Sequence, residues 1–383
     1  MPKGKLFTMP FVTLIGKDSL LDLGNKLSKI SGKRALIVTD KFMIQAGFAE
    51  KVQKILDEYN IKNTIFDGVV PNPNVNAIKN AVKCFISNEC DTLISLGGGS
   101  AHDTAKGVKL VLLGNDELYR DKNIKLVCVN TTAGTGSEVT RFCVITDELE
   151  HRKITIVDEK VIPDIAVDDP LLMIGLPPKL TAETGMDALT HAIEAYTSVD
   201  HYVLSDILAL KAISLICDNL YECYSNGGNI YAREQMVYAE YLAGVAFSNV
   251  GVGLVHAMSH QLSGLYNLPH GLCNAVLLPY VMEYNLDVNC KRYADIERNI
   301  KKNICNIAAD ETAADNLICD IMELNRKLGI PSNIKNLNVR ESDFELLSDM
   351  ALIDNTIKTN AKKPNKKDII EIYRKAYYGI HNI

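Results

Sequence analysis

Four short β-branched runs, "RALIVTD" (34–40), "NTIFDGV" (63–69), "DTLISLGGG" (91–99) and "IKLVCVN" (124–130), alternate with stretches of helical period. This alternation narrows the possible folds more than any other feature of the chain. Apolar residues recur at helical spacing in "MIQAGFAEKVQKILDEYN" and "VNAIKNAVKCFISN", and crossovers of that length join neighbouring parallel strands. The N-terminal part is therefore predicted to be an α/β domain on a parallel sheet. After "DIAVDDPLLMIGLPPKL" the strand-like runs cease. Long helical segments such as "YVLSDILALKAISLICDNLY" and "AREQMVYAEYLAGVAFSN" follow. Pro177 and Pro178 mark the change of pattern, which places an α/β domain over residues 1–180 and an all-helical domain over 181–383. At 383 residues, 47% of them hydrophobic, the chain can fill two cores.

Composition removes several function classes. With 41 basic and 47 acidic residues the formal charge is -6, which gives no electrostatic reason to expect nucleic acid or an anionic membrane. No apolar stretch approaches the roughly 20 residues that span a bilayer. The ten cysteines contain no C-x-x-C pair, and the N-terminus lacks a secretory pattern, so a reduced, cytoplasmic protein is expected. The lysine-rich "KTNAKKPNKKD" (358–368) reads as a solvated loop before the last helix.

Two regions carry chemistry. In "SLGGGSAHDTAKG" an apolar strand ends in Gly97, Gly98, Gly99 and Ser100 and a helix opens, so backbone amides can approach a phosphate at the positive helix terminus. Asp40, at the end of "RALIVTD", can accept hydrogen bonds from an adenosine ribose and would repel a 2'-phosphate, favouring NAD over NADP; capping the next helix is its alternative role. The run of small and hydroxyl residues in "NTTAGTGSEVTRF" (130–142) suits close approach to a pyrophosphate and nicotinamide ribose. The second region is "GLVHAMSHQLSGLYNLPHG" (253–271). His256 and His260 lie one helical turn apart, and Pro269 implies that the helix ends before His270. "TGMDALTHAIEAY" repeats the spacing with Asp187 and His191. An aspartate and a histidine on one helix, with two or three histidines from a later helix and turn, match the ligand set of a catalytic divalent metal. Spacing alone does not say which of the three later histidines are ligands.

Taken together and in order, these motifs resemble the iron-containing (group III) alcohol dehydrogenases over almost the whole chain. The resemblance is carried by "LIVTD", "PNPN", "GGGSAHDTAK", "NTTAGTGSEVT", Thr181 to Tyr196, "LVHAMSHQL", "LPHG" and "GIPSNI". "DDPLLMIGLP" and "HAMSHQLSGLYNLPHG" bring it nearest the 1,3-propanediol, methanol and butanol dehydrogenase branch. The resemblance implies a dehydroquinate-synthase-like fold: a nucleotide-binding α/β domain, an all-α metal-binding domain and an active site in the cleft between them. It assigns the metal ligands to Asp187, His191, His256 and His270, with Fe2+ expected and Zn2+ as an alternative, and leaves His260 as a catalytic, substrate-side residue. Its NAD(H)-binding positions fall on Asp40, Asn72, Gly98, Gly99, Ser100, Asp103, Thr131, Thr132, Thr140 and Lys153. Phe142 stands where lactaldehyde reductases carry asparagine.

The implied reaction is hydride transfer between a short primary alcohol or diol and the nicotinamide, with the metal as Lewis acid and His260 as proton relay. No lysine or arginine occurs between Arg233 and Lys291, so a small neutral alcohol or aldehyde is the expected substrate, with Leu254, Met258, Leu262, Leu265 and Tyr266 as apolar walls, several of which at helical spacing also read as ordinary core. A dehydroquinate-synthase-type lyase would need basic residues in that segment for an anionic substrate. A glycerol-dehydrogenase-like polyol oxidoreductase and a non-enzymatic scaffold with a vestigial site are the other readings. A homodimer or larger homo-oligomer is expected.

Overall fold

The computed structural model describes residues 4–30, 32–115, 123–147, 152–301 and 309–379. The chain divides into two compact units, Met1–Gly175 and Leu176–Ile383, separated just before the Pro177–Pro178 pair. In the first unit the strands are β1 (Val12–Ile15), β2 (Arg34–Val38), β3 (Lys62–Phe66), β4 (Thr92–Gly97), β5 (Lys125–Asn130), β6 (Phe142–Asp147), β7 (Arg152–Val157) and β8 (Ile165–Asp168). Six of them form a parallel sheet in the order β1-β8-β5-β4-β2-β3, and β6 and β7 make a separate antiparallel pair. Its helices are α1 (Leu23–Lys29), α2 (Lys41–Gln45), α3 (Phe48–Glu58), α4 (Val75–Ser87) and α5 (Gly99–Asn115).

β2, β4, β5 and β8 are buried almost throughout, as expected of strands covered on both faces. One apolar layer gathers Leu23, Val52 and Leu56 on one face, and another gathers Phe85, Ala105 and Val108 on the other. The single helix expected from residue 43 to 60 is broken: Gly47, at φ +79°, separates α2 from α3. After β2 and β3 the chain returns to lay β4 on the other side of β2. The direction of winding reverses there, and the carboxyl ends of β2 and β4 flank the switch point at which open α/β sheets bind ligands.

The described part of the second unit is helical: α6 (Pro178–Thr197), α7 (Val203–Ser225), α8 (Ile230–Val250), α9 (Leu254–Tyr266), α10 (His270–Ile300), α11 (Asp310–Lys327), α12 (Phe344–Ile353) and α13 (Lys366–Tyr378). α6 opens with proline at its first position, where the missing N–H costs nothing. It is buried around almost its whole circumference, packed by α7, α8 and α10. Between α8 and α9 the axis turns by 103°. Gly251 makes the turn at φ +79°, and a Cβ there would stand 2.7 Å from the Thr359 hydroxyl. No single described helix is long and apolar enough to cross a membrane. Much of the lysine-rich segment is engaged: Lys362 pairs with Asp287, and Lys366, already inside α13, pairs with Asp349 and Glu345.

Candidate active site

Three helices of the second unit converge on one buried group. α6 contributes Asp187 and His191, α9 contributes His256, and α10 contributes His270; one ligand-type atom from each lies within 4.8 Å of all the others. Asp187 Oδ1 is 3.7 Å from His270 Nε2 and 4.0 Å from His256 Nε2. The His191 ring stacks between Phe247 and His256, with centroids 4.2 and 4.6 Å away. His270 does not return from a turn, as the proline suggested: Pro269 is the cap and His270 the first residue of α10. Gly271 explains how that helix reaches α6. A Cβ on it would stand 2.3 Å from the Glu183 carbonyl oxygen, so only glycine allows this approach.

Three side chains without a role in the sequence reading brace this group and the neighbouring His260. Glu194, seven residues after Asp187 and on the same face of α6, accepts from Val255 N–H at 2.7 Å and is 2.5 Å from His256 Nδ1. The carboxylate therefore accepts a hydrogen bond from Nδ1–H and leaves the Nε2 lone pair facing Asp187, the arrangement in which an outer carboxylate orients a ligating imidazole. Asp354 Oδ2 is 2.9 Å from His260 Nδ1 and also accepts from Gln261. Burial alone would raise the Asp354 pKa, but the charge and hydrogen bond of His260, with both bonds from Thr356, outweigh it and hold the carboxyl below its usual range. Asn274, one turn after His270, points its amide nitrogen into the group. One buried carboxylate and three imidazoles, with no lysine or arginine from 234 to 290, form a donor set that fits a divalent transition metal.

His260 is not in the four-atom group, although its ring stacks on that of His270 at 5.2 Å. Of the five apolar wall residues expected, Leu254, Met258 and Leu262 are wholly buried and are core, because α9 packs on more than one side. Leu265 and Tyr266 are half-buried, and Tyr266 O–H is bonded to Asp343.

In the first unit the glycine turn follows β4 and α5 begins at Gly99. A Cβ on Gly98 would meet Thr132 Oγ1 at 2.8 Å, and one on Gly99 would meet Thr135 at 2.9 Å, so the turn is closed against the 130–136 segment. The hydroxyls of Thr131 and Thr132 are buried without a hydrogen-bond partner. Such a cradle, with donors left over beside a helix N-terminus, fits a phosphate-bearing cofactor. Ser100 is half-buried in the first turn of α5, and its carbonyl accepts from Thr104.

Asp40 stands at the end of β2 and does cap α2, accepting from Met43 N–H at 2.9 Å through Oδ1. Asn72 sits in the turn before α4 at φ +56°, and Lys153 lies on β7. Asp103 and Thr140 are turned inward. Asp103 accepts from Ser137 O–H at 2.8 Å and Val144 N–H at 3.2 Å; Thr140 Oγ1 is 3.1 Å from Lys106 Nζ. Lys106 is wholly buried and also donates to the carbonyls of Ser137, Thr140 and Phe142. It lies inside the glycine motif, where sequence reading assigned it no task; the structure shows it pinning residues 137–142.

Residues 10–170 match the family model described as iron-containing alcohol dehydrogenase, and residues 181–377 match the C-terminal model of the Fe-containing alcohol dehydrogenase family. The 1,3-propanediol dehydrogenase of Klebsiella pneumoniae is 42% identical, with 97% of this chain and 98% of that protein aligned. The NAD-dependent methanol dehydrogenase of Bacillus methanolicus is 39% identical, over 97% and 99%. Among solved structures, a 1,3-propanediol oxidoreductase superposes with a TM-score of 0.94 at 42% identity, covering 98% of this chain and all of the other.

Proposed function

Since the chain belongs to the iron-containing alcohol dehydrogenase family and is an alcohol/aldehyde oxidoreductase, we propose that it works with a divalent metal, iron by family expectation, and with NAD(H). We further propose that it interconverts a short neutral primary alcohol or diol and its aldehyde. The observation that carries this is the buried group of Asp187, His191, His256 and His270 on three converging helices. When bound, the metal supplies Lewis acidity toward a substrate oxygen and the nicotinamide supplies the hydride acceptor.

The chain's own residues then have separate tasks. Glu194 fixes the tautomer of His256, so that Nε2 is the atom offered to the cation. Asp354, kept ionised, fixes His260 with its proton on Nδ1, leaving Nε2 to take the alcohol proton or return it. Three carboxylates surround the histidines and no cation occurs from 234 to 290, which favours a neutral substrate over an anionic one. In the first unit Gly98, Gly99 and Ser100 cradle the pyrophosphate, Thr131 and Thr132 donate to it, and Asp40 reads the ribose with the oxygen its cap leaves over. Asn72 and Lys153 complete the cofactor contacts, while Asp103 and Thr140 shape the segment that bears them. A cytoplasmic homodimer or larger assembly is part of the same reading.

The test is NAD-linked oxidation of C1 to C4 alcohols and diols by chelated protein reloaded with Fe2+ or Zn2+. Turnover of at least one member, dependent on reloading, is expected. Metal-loaded protein that reduces NAD with none of them would overturn the reading.

A further inference from the structure

Asn274 is wholly buried and lies on the same face of α10 as His270. Its Nδ2 is 2.6 Å from Asp187 Oδ1, 3.1 Å from His256 Nε2 and 3.2 Å from His270 Nε2. To serve as ligands all three atoms must present lone pairs, and lone pairs gathered in a buried space repel. An amide nitrogen brings two hydrogens to these three acceptors. The charged and closest acceptor, Asp187, holds one; the second is left to the imidazoles. Asn274 Oδ1 is buried and has no hydrogen-bond partner, so the amide is held by its nitrogen. Turned over, it would aim a carbonyl oxygen at the same three acceptors. The ligands therefore dictate its orientation.

We propose that Asn274 is a positioning residue of the metal centre: its amide holds Asp187 Oδ1, which keeps a second lone pair for a cation, whereas its contacts with His256 and His270 use each ring's single Nε2 lone pair and give way when a cation binds. This rests on the metal-centre reading above. Four atoms about 2.1 Å from a zinc ion in a tetrahedron stand roughly 3.4 Å apart. Asp187 Oδ1 is already within a few tenths of an ångström of that distance from His270 and slightly further from His256. Without the amide, the Asp187 oxygen would face two imidazole lone pairs with no hydrogen between them.

The experiment is the Zn2+ dissociation constant of the full chain, measured by competition with a chromophoric chelator for the wild type, Asn274→Leu and Asn274→Ser. Leucine keeps the volume and removes the donor; serine is smaller, and its hydroxyl falls short of Asp187. Both variants are expected to bind Zn2+ about 10- to 100-fold more weakly. Asn325→Leu is the control, since that buried amide bonds only the Ala275 carbonyl: its thermal midpoint should fall while Zn2+ affinity stays within about threefold. If either folded Asn274 variant binds Zn2+ as tightly as wild type, the positioning role is overturned and the metal-centre reading stands. If the wild type binds no Zn2+, the metal-centre reading itself fails.

Discussion

At the residue scale, the four ligand-type side chains differ from His260 in what surrounds them, and that difference can be measured. Replacing His256 or His270 by alanine removes one of four converging donors, so metal content after dialysis should fall sharply and turnover with it. Replacing His260 should leave the metal in place and lower the rate by roughly 10²- to 10⁴-fold, the usual contribution of a positioned acid or base. Metal analysis beside steady-state rates separates the two behaviours; equal metal loss in all three variants would make His260 a ligand. A second residue-scale outcome concerns His102, which is buried against Ser95. Burial, and then the neighbouring Lys106 charge, push its pKa down from 6.5 to about 3. The unfolded chain binds this proton below about pH 6.5 while the folded one refuses it until about 3, so stability is full above 6.5 and declines as pH falls through that window. The slope attributable to this residue approaches about 1.4 kcal/mol per pH unit. His102→Gln should flatten the pH dependence of urea unfolding between pH 6 and 4, and an unchanged slope would show that the imidazole is protonated in the fold. The spacing of Asp187 with His191 and of His256 with His260 can be read from sequence because a helix turn is local. Glu194 was readable on the same grounds, at i+7 on one face. Asp354, 94 residues from its partner, has no local signal at all.

At the element scale, the site depends on α10 beginning against α6. The sequence shows Pro269 and a glycine after His270, but not that a thirty-one-residue helix starts there. Proline stops one helix and starts another with equal ease, and only the packing partner decides between them. Gly271→Ala tests the contact. The added methyl would meet the Glu183 backbone, which cannot rotate aside, and also stand 3.2 Å from the Asp187 Cβ. Forced apart, α10 and α6 should lose about 1–3 kcal/mol of stability, and the distance between His270 and Asp187 should widen. Thermal melting and metal titration of this variant should show both losses together; a variant with wild-type metal affinity would mean that α10 can shift without moving its first residue. In the first unit the long strands and crossovers follow the hydrophobic pattern, whereas β1 and β8, four residues each, are too short for periodicity to declare them. β6 and β7, six residues each and paired with one another, are not among the strand-like runs that the pattern marks.

At the scale of the whole molecule, the break between the two compact units falls just before the paired prolines at which the sequence pattern changes. Assembly is a different matter, because composition speaks only weakly about partners. The fold adds a specific reason to expect one. Among the described residues β1 is an edge strand of the six-stranded sheet, laddered to β8. Just before it Leu6, Met9 and Phe11 are 59%, 55% and 86% exposed. An open parallel edge with neighbouring large apolar side chains is a surface that folded proteins normally cover or blunt with charge. A second copy of the chain, meeting the first about a two-fold axis, could cover both edges with one self-complementary contact. Sedimentation at micromolar concentration should therefore give a mass of at least twice 42.3 kDa. Replacing Phe11 and Met9 together by lysine should shift the equilibrium toward the single chain while leaving far-UV circular dichroism unchanged, because neither side chain enters the core. A wild-type protein that sediments as a monomer would refute the assembly. An assembly that survives the double replacement would place its contact on another face.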